Sequence, residues 1–222
     1  MQDSDTTAPV FLGLGAGPGV GLAVARCFAR DGYSIAVATR FAEEAEPLAK
    51  DLRDSGFTAD GLGVDLADPD DVTRMVTEVG ERYGRIDVLH FNPSIFREAD
   101  PLQLTVAELI ADFTIGAAAL LPAVQAAKAY FPKGARVLVT GSAAADKPWH
   151  RAASLGVQKA AVRNLVTSLD ITLAPEGVRA VAVQVNGVLD NGTFTRERVA
   201  EALYAAAIRP DAEWTPHVAF DG

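Results

Sequence analysis

The sequence predicts an α/β protein built on a doubly wound parallel sheet of about seven strands, with helices on both faces. Short apolar runs alternate along the chain with longer segments that carry apolar residues at helical spacing, an order typical of such a sheet. The run at residues 35–38 is apolar without alternation, as in a strand covered on both faces. No internal repeat, low-complexity segment or interdomain linker occurs, so we predict one domain over residues 1–222 with a flexible start at 1–8.

The predicted elements alternate between strand and helix. Strands are expected at residues 9–14, 33–39, 57–64, 86–91, 136–140, 179–185 and 217–220. Helices are expected at residues 20–30, 41–55, 105–130, 152–173 and 196–207. A further helix, the third in the chain, is the most clearly marked, because Asp68 stands at its N-cap, Pro69 follows and Gly84 ends its apolar pattern.

Composition excludes several classes of function. The net charge of −9 and the absence of a basic stripe argue against nucleic-acid and anionic-membrane binding. The most apolar stretch, residues 116–130, is interrupted by Pro122, Gln125 and Lys128 and is predicted not to span a bilayer. Cys27 is the only cysteine, so we expect a small buried apolar group there and no disulfide or metal cluster. The acidic start is unlike a signal peptide, which predicts a cytoplasmic protein.

A glycine-rich turn between the first strand and the first helix predicts a dinucleotide site of the Rossmann type. Unpaired N–H groups and the dipole at a helix N-terminus favour a bound phosphate. Gly15 and Gly19 allow a sharp turn and a close approach of the pyrophosphate, and Gly21 allows the helix to pack against the strand. The alternative is a tight connection in some other α/β protein. The expected cofactor contacts here are Gly15, Ala16, Gly17, Pro18, Gly19, Val20 and Gly21.

With this turn, Asp65 after the third strand, Ser142 after the fifth and Lys159 in the next helix, the chain resembles the short-chain dehydrogenase/reductase family over residues 10–222. The family motif Thr-Gly-x-x-x-Gly-x-Gly keeps every glycine here, and Leu14 replaces the threonine. The resemblance implies an oxidoreductase that binds a nicotinamide cofactor, with Asp65 holding the adenine amino group. It implies further cofactor contacts from Leu66, Asn92, Lys159 and Gly187.

The end of the second strand predicts the choice of cofactor. An acidic residue there would bind both ribose hydroxyls of NAD and repel a 2′-phosphate, but Thr39 takes this place. Arg40 follows, and its guanidinium suits a phosphate in charge and geometry. We therefore expect NADP(H), with NAD(H) as the other possibility. The alternative for Arg40 is a solvated residue at a helix start.

The reaction chemistry departs from the family pattern. Family members use a tyrosine as the general acid/base, four residues before the lysine, and Leu155 occupies that position here. The resemblance still gives Ser142 the task of polarising the substrate oxygen and Lys159 that of binding ribose, as a poor, solvated acid. The asparagine that the family carries on its fourth helix corresponds to Phe113, or to Thr114 if the register slips by one.

Two functions follow from this pattern. One is an NADP(H)-dependent oxidoreductase of an unknown small carbonyl or alcohol with an altered proton relay, and the other is an inactive cofactor-binding sensor, regulator or partner subunit. His150 is a hypothetical substitute proton donor, because its ordinary pKa lies near neutrality; otherwise it is a surface histidine beside Trp149. Ser154 lies about 100° around the helix from Leu155 and should face elsewhere.

The surroundings of this site suggest an open pocket in an oligomer. The segment after Gly187 is shorter than the family's usual substrate lid, which predicts an open or shallow pocket. The fourth and fifth predicted helices carry more apolar residues than one face needs. The family pairs these helices across a two-fold axis, so the resemblance implies a homodimer or homotetramer. The alternative is that the surplus reflects the helix propensity of alanine.

Overall fold

The computed structural model describes residues 8–222, which form a seven-stranded, fully parallel sheet in the order β3-β2-β1-β4-β5-β6-β7. The strands are β1 Val10–Leu14, β2 Ser34–Thr39, β3 Ala59–Gly63, β4 Val88–Phe91, β5 Arg136–Ser142, β6 Arg179–Val185 and β7 His217–Phe220. The chain starts in the middle of the sheet, winds outward to β3 and then returns to β4 on the other side of β1. This reversal opens a crevice at the carboxyl ends of the strands.

Helices cover both faces of the sheet. They are α1 Val20–Arg30, α2 Ala42–Asp54, α3 Pro69–Tyr83, α4 Val106–Phe113, α5 Leu120–Ala127, α6 Ala153–Leu173 and α7 Arg196–Ala207. Neighbouring residues of β1 separate the two faces, because Phe11 packs in a cluster with α1, α2 and α7, and Leu12 packs in a cluster with α3, α5 and α6. The predicted doubly wound fold is confirmed, and most element ends differ by one or two residues from the prediction. The expected flexible segment 1–8 lies outside the described residues except for Ala8.

The residues that predicted the third helix, α3, have the roles at its ends that the sequence indicated. The Asp68 carboxylate accepts hydrogen bonds from the backbone N–H groups of Asp70 and Asp71 at 2.9 and 3.3 Å. Pro69 occupies the first turn, and Gly84 ends the helix in the left-handed conformation, with φ at 74°. Each of these residues satisfies or avoids an unpaired backbone group at a helix end.

The predicted helix 105–130 is continuous over Val106–Tyr130 but is not uniform. A π-helical segment, Thr114–Ala118, separates α4 from α5, and a 3₁₀ turn, Lys128–Tyr130, ends it. Gly116 lies in the π segment, where an added Cβ would overlap the side chain of Gln158 on α6. The extra residue of a π turn changes which side chains face inward, so spacing alone did not predict them.

The helix Val106–Tyr130 is long and apolar enough to cross a membrane by length and composition alone, unlike the shorter stretch considered in the sequence. Its inner residues, among them Leu120, Ala123 and Val124, are buried in the core. About 33% of its most apolar window is buried, so much of its outer face is exposed. Cys27, expected to be buried, is only partly so.

Candidate active site

A cleft of about 660 Å³ lies at the carboxyl ends of the strands, where the winding of the sheet reverses. Its volume is in the usual range for a small-molecule site. The sequence-predicted residues that line it are Gly15, Gly17, Gly19, Val20, Gly21, Thr39, Arg40, Asp65, Leu66, Asn92, Ser142, Lys159 and Gly187. Ala16 and Pro18 line an adjoining depression. His150 is the one predicted site residue that lines neither, within the part of the chain that the structure describes.

The glycine turn has backbone geometry that other residues would disturb. Gly15 has φ at +69°, and a Cβ on it would lie 2.9 Å from Cγ of Pro93. A Cβ on Gly21 would lie 2.8 Å from Cα of Ala16, so α1 packs directly against the turn. Gly17 has open space at the Cβ position. The α1 N-terminus has no side-chain cap, so its first turn remains available to an anion.

Arg40 is the exposed cation at the end of the cleft nearest β2. Its guanidinium carbon lies 5.3 Å from the centre of the Phe41 ring. The side chain of Thr39 donates a 2.6 Å hydrogen bond to the Phe41 carbonyl, which fixes the turn into α2. Glu44 shares the depression beside Arg40. On the facing strand end, the Asp65 carboxylate accepts from the backbone N–H of Ala67 at 2.9 Å.

Lys159 lies on α6 with its ammonium inside the cleft wall. Its side chain is 4% exposed, so the expectation of a solvated lysine is wrong. Nζ donates to the carbonyl oxygens of Pro93 at 3.1 Å and Thr140 at 3.0 Å, which leaves one of its three N–H groups for the cleft. Burial disfavours the charged form and lowers the pKa of Lys159 to about 8. The sequence did not predict this burial because the two carbonyls lie 66 and 19 residues away along the chain.

A partly buried chain of hydrogen bonds joins the strand ends next to Lys159. The Thr140 hydroxyl donates to Oδ1 of Asn92 at 2.8 Å, and Nδ2 of Asn92 donates to the Gly15 carbonyl at 2.9 Å. Nε2 of His90 lies 2.9 Å from the Thr140 hydroxyl and donates to it, since that hydroxyl proton is already used. Burial, with the Lys159 charge nearby, lowers the pKa of His90 to about 3, so the ring is neutral. His90 and Thr140 lie in apolar strands and gave no sequence signal.

The opposite end of the cleft is mostly apolar. Ser142, at the end of β5, accepts from the Ala144 backbone N–H at 3.2 Å, which leaves its own proton free to donate. Leu155 lines the cleft one helical turn before Lys159, and Ile95 and Ile115 line it as well. Ile95 is held in place by Gln158, which exchanges two hydrogen bonds with its backbone.

Neither residue proposed for the fourth-helix position lines the cleft. Phe113 is 37% exposed, and the Thr114 hydroxyl donates to the Ile110 carbonyl at 2.8 Å. The π-helical segment brings Ile115 into the cleft instead. Ser154 faces away from the cleft as expected, since its hydroxyl donates to the buried carboxylate of Asp112 at 2.8 Å.

This arrangement of glycine turn, strand ends and lysine has clear relatives. A family model described as short chain dehydrogenase matches residues 10–201. The chain belongs to the short chain dehydrogenase family. Versicolorin reductase of Emericella nidulans is 26% identical over 219 residues, which cover 90% of this chain and 83% of that protein. Cis-4-hydroxycyclohexanecarboxylate dehydrogenase of Sinomonas cyclohexanicum is 30% identical over 173 residues, which cover 76% of this chain and 69% of that protein.

Two further relatives match over a shorter segment, and two solved structures have the same fold. Two polyketide-synthase proteins, from Streptomyces virginiae and Streptomyces violaceoruber, are 38% and 40% identical, but the match spans only 33% and 30% of their lengths. A short chain dehydrogenase of Burkholderia cenocepacia, solved in complex with NADP, has a TM-score of 0.87 and 26% identity over 97% of each chain. A blue fluorescent protein from a metagenomic library, solved with NADPH, has a TM-score of 0.86 and 25% identity, covering 99% of this chain and 98% of that one.

His150 lies outside the cleft of this short chain dehydrogenase. It is exposed on the loop before α6, beside Trp149, whose ring stacks on that of Phe96 at 6.2 Å. The role suggested for His150 would require this loop to move. Over residues 8–222, no group of three or more His, Cys, Asp or Glu side chains is placed to hold a metal ion.

Proposed function

We propose that this chain is an NADP(H)-dependent oxidoreductase that interconverts a small apolar ketone and its alcohol. The observation that carries the proposal is one continuous cleft that runs from the glycine turn and Arg40 to Ser142 and the buried ammonium of Lys159. Similar proteins solved with NADP or NADPH support this cofactor. Relatives named versicolorin reductase and cis-4-hydroxycyclohexanecarboxylate dehydrogenase support an oxidoreductase reaction.

The residues of the cleft fit a dinucleotide in chemistry and space. Open space at Gly17 and the uncapped start of α1 suit the pyrophosphate, and Arg40 suits the 2′-phosphate. We assign the adenine to Asp65 with Leu66, and the nicotinamide ribose to Lys159. We propose that all of these contacts belong to a single dinucleotide-binding domain.

When bound, the nicotinamide supplies or accepts the hydride at the substrate carbon. In the reduction, the free hydroxyl proton of Ser142 donates to the carbonyl oxygen and polarises it. The remaining N–H of Lys159 is shared between the ribose and that oxygen, and it gives its proton to the oxygen as the new C–H bond forms; in the oxidation Lys159 takes the proton back. Leu155, in the place of the family tyrosine, has no proton to give, so we assign the transfer to Lys159.

A second candidate is a cofactor-binding protein without turnover. It is favoured by the apolar lining of the reacting end, where Ile95, Ile115 and Leu155 surround Ser142 and Lys159. The two candidates share the cofactor site and differ only in whether NADPH is consumed with a ketone present.

We further propose a homodimer or homotetramer that pairs the outer faces of Val106–Tyr130 and of α6. These faces expose apolar side chains that a second copy would cover. The exposed residues are Val106, Ile110, Leu121, Val157 and Ile171. Because a second copy would cover the apolar helix, we place the protein in the cytoplasm rather than in a membrane.

The proposal is tested by titrating the purified protein with NADPH and, in parallel, NADH, following nucleotide fluorescence. We expect NADPH to bind about tenfold more tightly, since one charge-assisted contact of an exposed arginine is worth roughly that factor. Consumption of NADPH with cyclohexanone, a small apolar ketone, then separates the enzyme from the inactive binder. Failure to bind either nucleotide would contradict both candidates.

A further inference from the structure

Arg196 places a positive charge beside the glycine turn. It is the first residue of α7, and its Cδ and Nε lie 3.8 Å from where a Cβ on Gly19 would stand. Leu189, before it in the chain, and Val199, one turn later, both line the cleft. The Arg196 side chain therefore lies against the glycine turn at the edge of the site.

The guanidinium of Arg196 is oriented with one edge free. Nε lies 3.2 Å from each carboxylate oxygen of Asp190, and Nη2 donates to Oδ2 at 2.9 Å. These bonds occupy one edge of the planar group, and Nη1 makes no hydrogen bond to any residue between 8 and 222. With the side chain 46% exposed, the free edge is open to a ligand.

The segment that carries Asp190 is built to hold it in place. Asp190 adopts φ of 61°, a conformation uncommon outside glycine, and its backbone N–H donates to the Phe194 carbonyl at 3.0 Å. The Phe194 ring packs against Gly187, where any Cβ would overlap it. Asp190 thus positions Arg196 from a tight turn that is itself packed against the cleft floor.

The charges around the cleft indicate which kind of ligand the free edge of the Arg196 guanidinium would bind. The chain carries a net charge of −9, so a polyanionic ligand needs local positive groups. In the proposed function Arg40 meets the 2′-phosphate and Lys159 meets the nicotinamide ribose, while the doubly charged pyrophosphate between them would meet only backbone N–H groups. Arg196 lies next to that turn, and bidentate recognition of phosphate oxygens is a typical use of a guanidinium edge.

We propose that Arg196 binds the pyrophosphate of the dinucleotide beside the α1 N-terminus, and that Asp190 is its positioning residue. This assignment rests on the proposed function. It adds a charged contact that the glycine pattern does not contain. It also accounts for the short segment after Gly187, which acts to bring α7 over the phosphates rather than to enclose the substrate.

The test compares Arg196→Ala with Arg198→Ala, which removes an equal charge from an exposed position two residues later. Three ligands are titrated: NADPH, NADH and adenosine 2′-monophosphate, which carries the 2′-phosphate but no pyrophosphate. We expect Arg196→Ala to bind both dinucleotides about tenfold more weakly and the monophosphate within twofold of the unchanged protein. Arg198→Ala should bind all three ligands as the unchanged protein does. Arg196→Lys should recover part of the loss, because it keeps the charge without the fork.

Three outcomes would overturn the assignment. The first is an Arg196→Ala protein that binds NADPH within twofold of the unchanged protein. The second is an equal loss for the monophosphate, because the defect would then not concern the pyrophosphate. The third is an unchanged protein that binds neither dinucleotide, and only this third outcome also removes the proposed function.

Discussion

The two ends of the cleft differ in what lines them: the glycine turn forms one end, and the side chains around Ser142 and Lys159 form the other. At the phosphate end, which is the end with the glycine turn, Gly15 and Gly21 leave no room for a side chain beside Pro93 and Ala16. At the reacting end the lining consists of side chains, and Leu155 points into open cleft. A side chain at Gly15 or Gly21 would disturb the fold, whereas a change at Leu155 alters only what lines the cleft. Binding and chemistry can therefore diverge separately on one fold.

Electrostatics separates the two ends as well. Arg40 and Arg196 are exposed, so solvent screens their charges. Lys159 is buried, and burial holds its pKa near neutrality, at about 8. The exposed cations suit phosphates, which need charge but no proton transfer, and the buried ammonium suits the transfer of a proton near neutral pH.

The largest expected effect is at the reacting end. We expect Lys159→Met to lower kcat for cyclohexanone reduction by about 10³-fold, because it removes the group assigned to proton transfer. His150→Ala, a change in the exposed loop, should leave kcat within twofold. A Lys159→Met protein that keeps its rate, or a His150→Ala protein that loses it, would assign the proton to another group.

The unchanged protein and Lys159→Met should also differ in how their rates depend on pH. The Lys159 ammonium must be protonated to act as the acid, so the reduction rate should fall as pH rises through about 8, and the oxidation rate should rise over the same range. This step should be missing from the residual rate of Lys159→Met. The pH dependence of kcat measures it directly.

A smaller effect is expected at the phosphate end. Arg40→Ala should weaken NADPH binding about tenfold and leave NADH binding within twofold, because only NADPH carries the 2′-phosphate. Arg30→Ala, an exposed arginine at the end of α1, is the control for a lost charge. Equal losses for NADPH and NADH in Arg40→Ala would show that the guanidinium does not recognise the 2′-phosphate.

Much of the fold could be predicted because its signals are local. Asp68, Pro69 and Gly84 mark α3 by the backbone groups they cap, and non-alternating strands indicate a sheet buried on both faces. The glycines of the first turn predicted a phosphate site for a similar local reason, since Gly15 is required by its backbone conformation and Gly21 by its close neighbour Ala16.

The parts that were not predicted depend on contacts distant in sequence. The burial of Lys159 depends on carbonyls of Pro93 and Thr140, 66 and 19 residues away. The entry of Ile115 depends on a π turn packed against α6, and the position of Arg196 over Gly19 depends on the meeting of α7 and α1. Periodicity reports which faces are apolar, and it carries no information on these pairings.

The central claim is that the cofactor end is intact and that Leu155 limits the proton transfer. Leu155→Tyr and Leu155→Phe test it together, because the two differ by one hydroxyl and fill the cleft alike. We predict that kcat for cyclohexanone reduction rises about 10²-fold in Leu155→Tyr and stays unchanged in Leu155→Phe, with NADPH affinity within twofold in both. A Leu155→Tyr protein no faster than Leu155→Phe, with NADPH still bound, would contradict the claim.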